Sequence, residues 1–284
     1  MMARPPFIIA LIFLASSAWA ISPTVLFSTT SLLPGETLRV EVDGLGSTAK
    51  LKVLFLGQSY PLFVVGPNAE RALIGIPLDA KPGARSLSFK KPAAAESIEL
   101  PKGPYEIEIA TRIFTVENVN FTPEKTTLAT SEHRESLLIH RADQYLSRDQ
   151  QWEGVFMYPV DGPVIGEFGL KRTRNGTIDV GFHKGVDLRA KKGTPVLAAN
   201  SGTVVMASHF KAHGNMVLIN HGQGVMTIYL HMQSIKVKLK EKVHKGQEIG
   251  KVGATGLATA PHVHYQVFVH GVPVDPKQWT EAEF

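Results

Sequence analysis

Two short patterns in this 284-residue chain combine residue types that bind metal ions. In "FHKGVDLRA", His183 and Asp187 stand four apart; in "PHVHYQV", His262 and His264 stand two apart. Even separations project to one face of a β-strand, so each pair can present its polar groups together. Gly185, between the first two, lets the backbone approach a neighbour closely. Imidazole nitrogens and a carboxylate oxygen suit a borderline ion such as zinc, at about 2.0–2.2 Å. His183, Asp187 and one histidine of the second pair make three protein ligands and leave a fourth position open, which is how catalytic zinc differs from structural zinc. Spacing leaves open which of His262 and His264 binds, and whether that pair is only two polar side chains sharing a strand face.

Such residues need a β framework, and alternation of apolar and polar residues supplies it. "PGETLRVEVDG", "KLKVLFLG" and "YEIEIATRIFTVENVNF" alternate with period two between Gly and Pro turns, predicting an Ig-like β-sandwich over residues 21–120. A linker with a helix is expected over 121–150, with Ser131 as N-cap, Glu132 in the first turn and Leu138, Ala142 and Tyr145 on one face. From 151 to 284, Gly-rich short strands such as "GNMVLINHGQGVMTIYLHM" predict a compact antiparallel β domain whose loops carry the chemistry. The fold class is therefore mainly all-β.

Nine of the eleven histidines fall between residues 183 and 270. His221, beside Gly222, is expected to be structural, and His209 and His213 to be loop residues without a carboxylate. His244 and His270 are expected at the surface. His133 and His140 fall on the linker helix. Lys236, Lys238, Lys240 and Lys242 alternate along "KVKLKEKVHKG", predicting four ammonium groups on one face of a solvated edge strand, with docking of an anionic wall polymer as the sharper reading.

Residues 1–20, "MMARPPFIIALIFLASSAWA", have a basic start, an apolar core and an A-x-A pattern, the marks of an export signal. The core is about half the ~20 residues that span a bilayer, so no stable membrane anchor is expected after cleavage. At 44% hydrophobic and 19% charged residues, the composition is that of a soluble globular protein. Cysteine is absent, which excludes disulfides, thiolate metal sites, a cysteine nucleophile and cysteine lipidation. Residues 21–150 carry 14 Lys+Arg against 15 Asp+Glu, and residues 151–284 carry 15 against 10. The basic second half favours an anionic partner, and with no nucleic-acid motif a cell-wall polymer or a membrane surface is expected before DNA or RNA.

The stretches "NGTIDVGFHKGVDLRAKKGTPVLAANSGTVV", "YLHM" and "GKVGATGLATAPHVHYQV" resemble the lysostaphin or LytM type of zinc metallopeptidase, which hydrolyses peptide cross-links of bacterial peptidoglycan. The likeness runs from about Asn175 to Trp279. It implies one Zn2+ per chain held by His183, Asp187 and His264, with His231 and His262 catalytic, a zinc-activated water attacking the scissile amide, and a periplasmic or extracellular protein associated with the cell wall. Ala260 and Met232 depart from the Gly and Leu common in that family. A non-enzymatic regulator of other wall hydrolases is the alternative that the resemblance also allows.

Overall fold

In the computed structural model residues 23–44, 51–92, 100–142 and 147–284 are described; the expected export signal and Tyr145 lie outside the described residues. Along Thr37–Asp43, Leu38, Val40 and Val42 turn inward and are fully buried while Arg39 and Glu41 face outward, as period two requires. That strand belongs to a four-stranded antiparallel sheet, in the order Thr24–Phe27, Thr37–Asp43, Ala69–Gly75, Phe63–Val64. A second sheet runs Ser31–Leu32, Tyr105–Ile109, Gly83–Lys90, Lys52–Phe55, Gln58–Pro61. Val53, Phe55, Leu87, Ile107 and Ile109 from this sheet share one apolar cluster with Leu38, Val40 and Val42. Burying each such side chain contributes about 1.5–3 kcal/mol.

Val116–Val119 joins neither sheet. It pairs in parallel with Lys171–Arg174, which continues antiparallel to Thr177–Phe182. The chain then forms two helices. Pro123–Ala129 begins with Thr122 as N-cap, Pro at the first position and Glu124 in the first turn, three start signals that coincide. Glu132–Ala142 follows. Leu138, expected on the buried stripe, is exposed, and Ile139 is buried together with Glu135 one turn earlier.

The largest sheet is antiparallel throughout, in the order Val164–Gly166, Val186–Arg189, His262–Val269, Val225–Met232, Gly214–Gly222, Gly202–Phe210, Lys242–Val243, with Val272–Val274 also paired to His262–Val269. Along His262–Val269, Val263, Tyr265, Val267 and Val269 enter the main core with Leu188, Val217, Tyr229 and Trp279. His262, His264 and Gln266 therefore face the other way. Farther along that second face, Met216, Leu218, Met226, Ile228 and Leu230 form a smaller cluster closed by Ile139 of the second helix.

The N-terminal sheets dock at the end of the large sheet remote from these imidazoles. Gly75 abuts Val272 and Val274, where a Cβ would come within 2.9–3.1 Å of their side chains. Trp279 Nε1 donates to Thr37 Oγ1 at 3.1 Å, and Arg71 donates to Gln150 and Gln223 at 2.9 and 2.5 Å. His270 sits near this junction, half-buried against the rings of Tyr60 and Phe63 at centroid distances of 5.7 and 6.4 Å, not on the open surface expected for it. The lysine run also differs from expectation. A turn at Leu239–Lys240 separates Ser234–Ile235 from Lys242–Val243, so the four lysines, although exposed, share no strand face. No helix among the described residues is long and apolar enough to cross a membrane.

Candidate metal centre and active site

His183 and Asp187 converge, but not along one strand. His183 follows Thr177–Phe182, and Asp187 lies in Val186–Arg189. Gly185 makes the connection: a side chain there would collide with the carbonyl oxygen of Tyr265, so only glycine lets the chain cross so near the neighbouring strand. Asp187 is the direct cross-strand partner of His264. His183 is fixed at both ends, its backbone N–H donating to Leu170 O at 2.7 Å and its Nδ1 donating to Glu167 O at 2.7 Å.

Three donor atoms consequently meet. His183 Nε2 lies 3.1 Å from Asp187 Oδ1 and 2.9 Å from His264 Nδ1, and His264 Nδ1 lies 2.7 Å from Asp187 Oδ1. Among the described residues this is the one group of three His, Cys, Asp or Glu side chains with donors close enough to share an ion. The residues retain only 3%, 7% and 6% exposure, so a charge here must be compensated by neighbours rather than by water. Burial pushes the Asp187 carboxyl upward in pKa, but hydrogen bonds with His183 and His264 outweigh it and hold the group well below its usual range. Burial pushes His264 down to about 4, which leaves a neutral imidazole at neutral pH, the form that ligates.

The outer atoms of the three are also held. Asp187 Oδ2 accepts from Arg172 Nη2 at 2.6 Å, and Arg172 Nε donates to Glu117 Oε2 at 3.0 Å. The side-chain amide nitrogen of Gln266 lies 2.6 Å from His264 Nε2. None of Glu117, Arg172 and Gln266 was singled out from the sequence. Only Gln266 had a legible signal, since it continues the i, i+2 series of His262 and His264.

His231 and His262 stand beside this group, their ring centroids 5.0 Å apart, with His231 6.2 Å from the ring of His264. Simple alternation would aim His231 into the core with Tyr229. The pairing with Gly214–Gly222 instead slips between Tyr229 and Met232, and His231 takes φ +64°. This bulge turns its side chain towards the imidazoles, a use of bulges common next to functional sites. His231 Nδ1 donates to Thr255 O at 2.9 Å and His262 Nδ1 to Ala260 O at 2.8 Å. Each ring thus keeps Nε2 unprotonated when neutral. Burial, then the nearby His262 and His264, hold His231 well below its usual pKa. Ala260 is not among the positive-φ residues, so its departure from glycine introduces no backbone strain.

A groove runs over these five side chains. Its walls come from residues 117–121 and 129–139 as well as from the large sheet and the 257–260 loop; none of the described residues between 23 and 109 lines it. Lys125 Nζ donates to the carbonyls of Gly256 and Ala258. Glu135 accepts from the backbone N–H groups of Ala212 and His213 at 3.1 Å and lies 2.7 Å from His213 Nδ1. His213 therefore has a carboxylate partner, contrary to expectation, supplied from 78 positions away. His221 has a structural place: it is fully buried, with Nδ1 2.7 Å from Ser201 O and Nε2 2.7 Å from Thr227 Oγ1.

Residues 181–276 match the model described as Peptidase family M23, and this part of the chain is a peptidase family M23 domain. A solved structure from Pseudomonas aeruginosa assigned to peptidase M23 aligns over 89% of this chain and 96% of its own, at a TM-score of 0.63 and 25% identity. The peptidoglycan DD-endopeptidase ShyA of Vibrio cholerae is 39% identical over 141 residues, which are 48% of this chain and 33% of that protein. The DD-carboxypeptidase/endopeptidase Mpg of Neisseria meningitidis serogroup B is 39% identical over 95 residues, 34% of this chain and 22% of its own. The chain spans about a third or less of the length of these curated relatives.

Proposed function

We propose that this protein is a zinc metalloendopeptidase that hydrolyses peptide cross-links of bacterial peptidoglycan. The observation that carries the reading is the meeting of His183 Nε2, Asp187 Oδ1 and His264 Nδ1 within 3.1 Å of one another. Two imidazole nitrogens and one carboxylate, buried and braced from behind, are the donor set of an open zinc site. His183, Asp187 and His264 hold one Zn2+ per chain. When bound, the ion supplies a Lewis acid that polarises a carbonyl oxygen and brings the pKa of water to about 7.

His231 and His262 handle the protons. Their Nδ1–H groups are committed to Thr255 and Ala260, so Nε2 is the basic atom. An Nε2 accepts the proton of the water whose oxygen attacks the scissile carbonyl carbon, and delivers it to the amide nitrogen as the C–N bond breaks. The protonated ring meanwhile donates a hydrogen bond to the developing oxyanion. The named endopeptidase relatives support a peptidoglycan peptide as substrate. An exported, periplasmic or extracellular setting accords with residues 1–20 and with that substrate, and the exposed lysines of residues 236–242 offer contacts to an anionic wall polymer. The chain divides into a signal (1–20), a sandwich domain (21–120), a linker (121–150) and the peptidase domain (151–284). All five site side chains are present, which speaks against the regulator alternative.

The test is digestion of purified peptidoglycan sacculi, with released peptides identified by mass spectrometry. Hydrolysis stops on chelation and returns with Zn2+; cleavage that persists in chelator, or in His183→Ala, contradicts the proposal.

A further inference from the structure

Asp187 is held from two sides, and the outer side reaches beyond the peptidase sheet. Oδ1 faces the two histidines, while Oδ2 accepts from Arg172 Nη2 at 2.6 Å. Arg172 is in turn gripped at Nε by Glu117, 3.0 Å away. These contacts follow from backbone register. Val116–Val119 runs parallel to Lys171–Arg174 with Glu117 directly opposite Arg172, and Gly166 is paired directly with Asp187. Gly166 leaves the space that the ion pair occupies: a Cβ there would stand 2.6 Å from Asp187 Oδ2 and 3.0 Å from Arg172 Nη2. Three separate segments are therefore shaped around one carboxylate orientation.

We infer that Glu117 and Arg172 form a positioning relay that sets the metal affinity of the site by locking Asp187 with Oδ1 towards His183 and His264. The inference rests on the metal-centre reading above. A carboxylate free to rotate divides its time between orientations, and only one presents Oδ1 to the imidazoles. A planar guanidinium with donors in a rigid fork can hold Glu117 at Nε and Asp187 at Nη2 together; a lysine ammonium has no such fork. Outer partners of ligating groups of this kind commonly change metal affinity by about 10–100-fold. The relay also places a strand from before the two helices, outside the region of the family match, in control of the centre.

The experiment measures the Zn2+ dissociation constant of the full mature chain by competition with a chromophoric chelator, alongside thermal melting of the metal-free proteins. Arg172→Ala is expected to weaken binding by about 10–100-fold while the metal-free melting temperature stays near that of the parent. Arg172→Lys recovers part of the loss. Glu117→Gln weakens binding less than Arg172→Ala, and adds nothing in the Arg172→Ala background, because it acts only through Arg172. Gly166→Ala weakens binding by crowding the pair without removing a charge. Parental affinity in Arg172→Ala overturns the relay, as does a Glu117→Gln effect that persists without Arg172. Should Arg172→Ala not fold, Arg172→Lys and Glu117→Gln decide the matter, and parental affinity in both overturns it. Asp187→Ala separates the two levels: if it too binds Zn2+ like the parent, the metal-centre reading fails, not only the relay.

Discussion

The sandwich and the large C-terminal sheet are written in the same alternation but use their second faces differently. In Thr37–Asp43, one face enters the core through Leu38, Val40 and Val42, and the other turns Arg39 and Glu41 outward. In His262–Val269 both faces are covered, the apolar one by the main core and the polar one by the groove wall. Water can satisfy Arg39 and Glu41; His262 and His264 must find partners within the protein. Covering the second face with helices and loops is thus what turns an ordinary alternating strand into a site where imidazoles are buried and oriented. The described strands of the two sandwich sheets dock at the Val272–Val274 end, and it is Val116–Val119, outside both sheets, that reaches the groove.

This contrast can be broken most severely at the donors. His183→Ala, Asp187→Ala or His264→Ala should each abolish detectable hydrolysis of sacculi and bound zinc, as read by product release and elemental analysis, while the far-ultraviolet circular dichroism of the β framework persists. His231→Ala should retain zinc yet lower kcat by about 10²–10⁴-fold, the usual contribution of a positioned acid–base group; steady-state kinetics on a defined cross-linked peptide would measure it. On the other side, Leu38→Ala in the sandwich core should cost about 2–5 kcal/mol of stability in denaturant unfolding and leave the kinetic constants per folded molecule unchanged.

The smallest effect comes from His221 in the main sheet. Burial pushes its pKa down to about 4, below the ordinary value of about 6.5. Between those values the unfolded chain binds a proton that the folded chain refuses, so stability is complete above about pH 6.5 and is lost as pH falls towards 4. The loss attributable to this group is roughly 3 kcal/mol at most. Denaturant melts from pH 7 to 4 should show it, and His221→Phe should flatten the slope in that window.

Local pattern made much of the molecule legible. Period-two runs marked the strands of both regions, because strand geometry repeats within a few residues. The pair His183 and Asp187 was expected on one strand face, whereas the two meet across the connection at Gly185. What escaped depends on contacts between distant segments. Arg172 meets Asp187 and Glu117 only through sheet pairing, and Glu135 reaches His213 only after the second helix packs on the sheet. His231 turns towards the site through a bulge that alternation does not foretell. His270 appeared superficial because nothing near it in the chain announces the junction with Tyr60 and Phe63. The helix Pro123–Ala129 is a different miss, since Thr122, Pro123 and Glu124 are a readable start signal.

The most direct test of the central claim is anomalous X-ray scattering at the zinc edge from crystals of the protein grown with Zn2+. A single strong peak within bonding distance of His183 Nε2, Asp187 Oδ1 and His264 Nδ1 is the predicted result. A peak elsewhere in the molecule, with those three side chains ordered and no density between them, would contradict it.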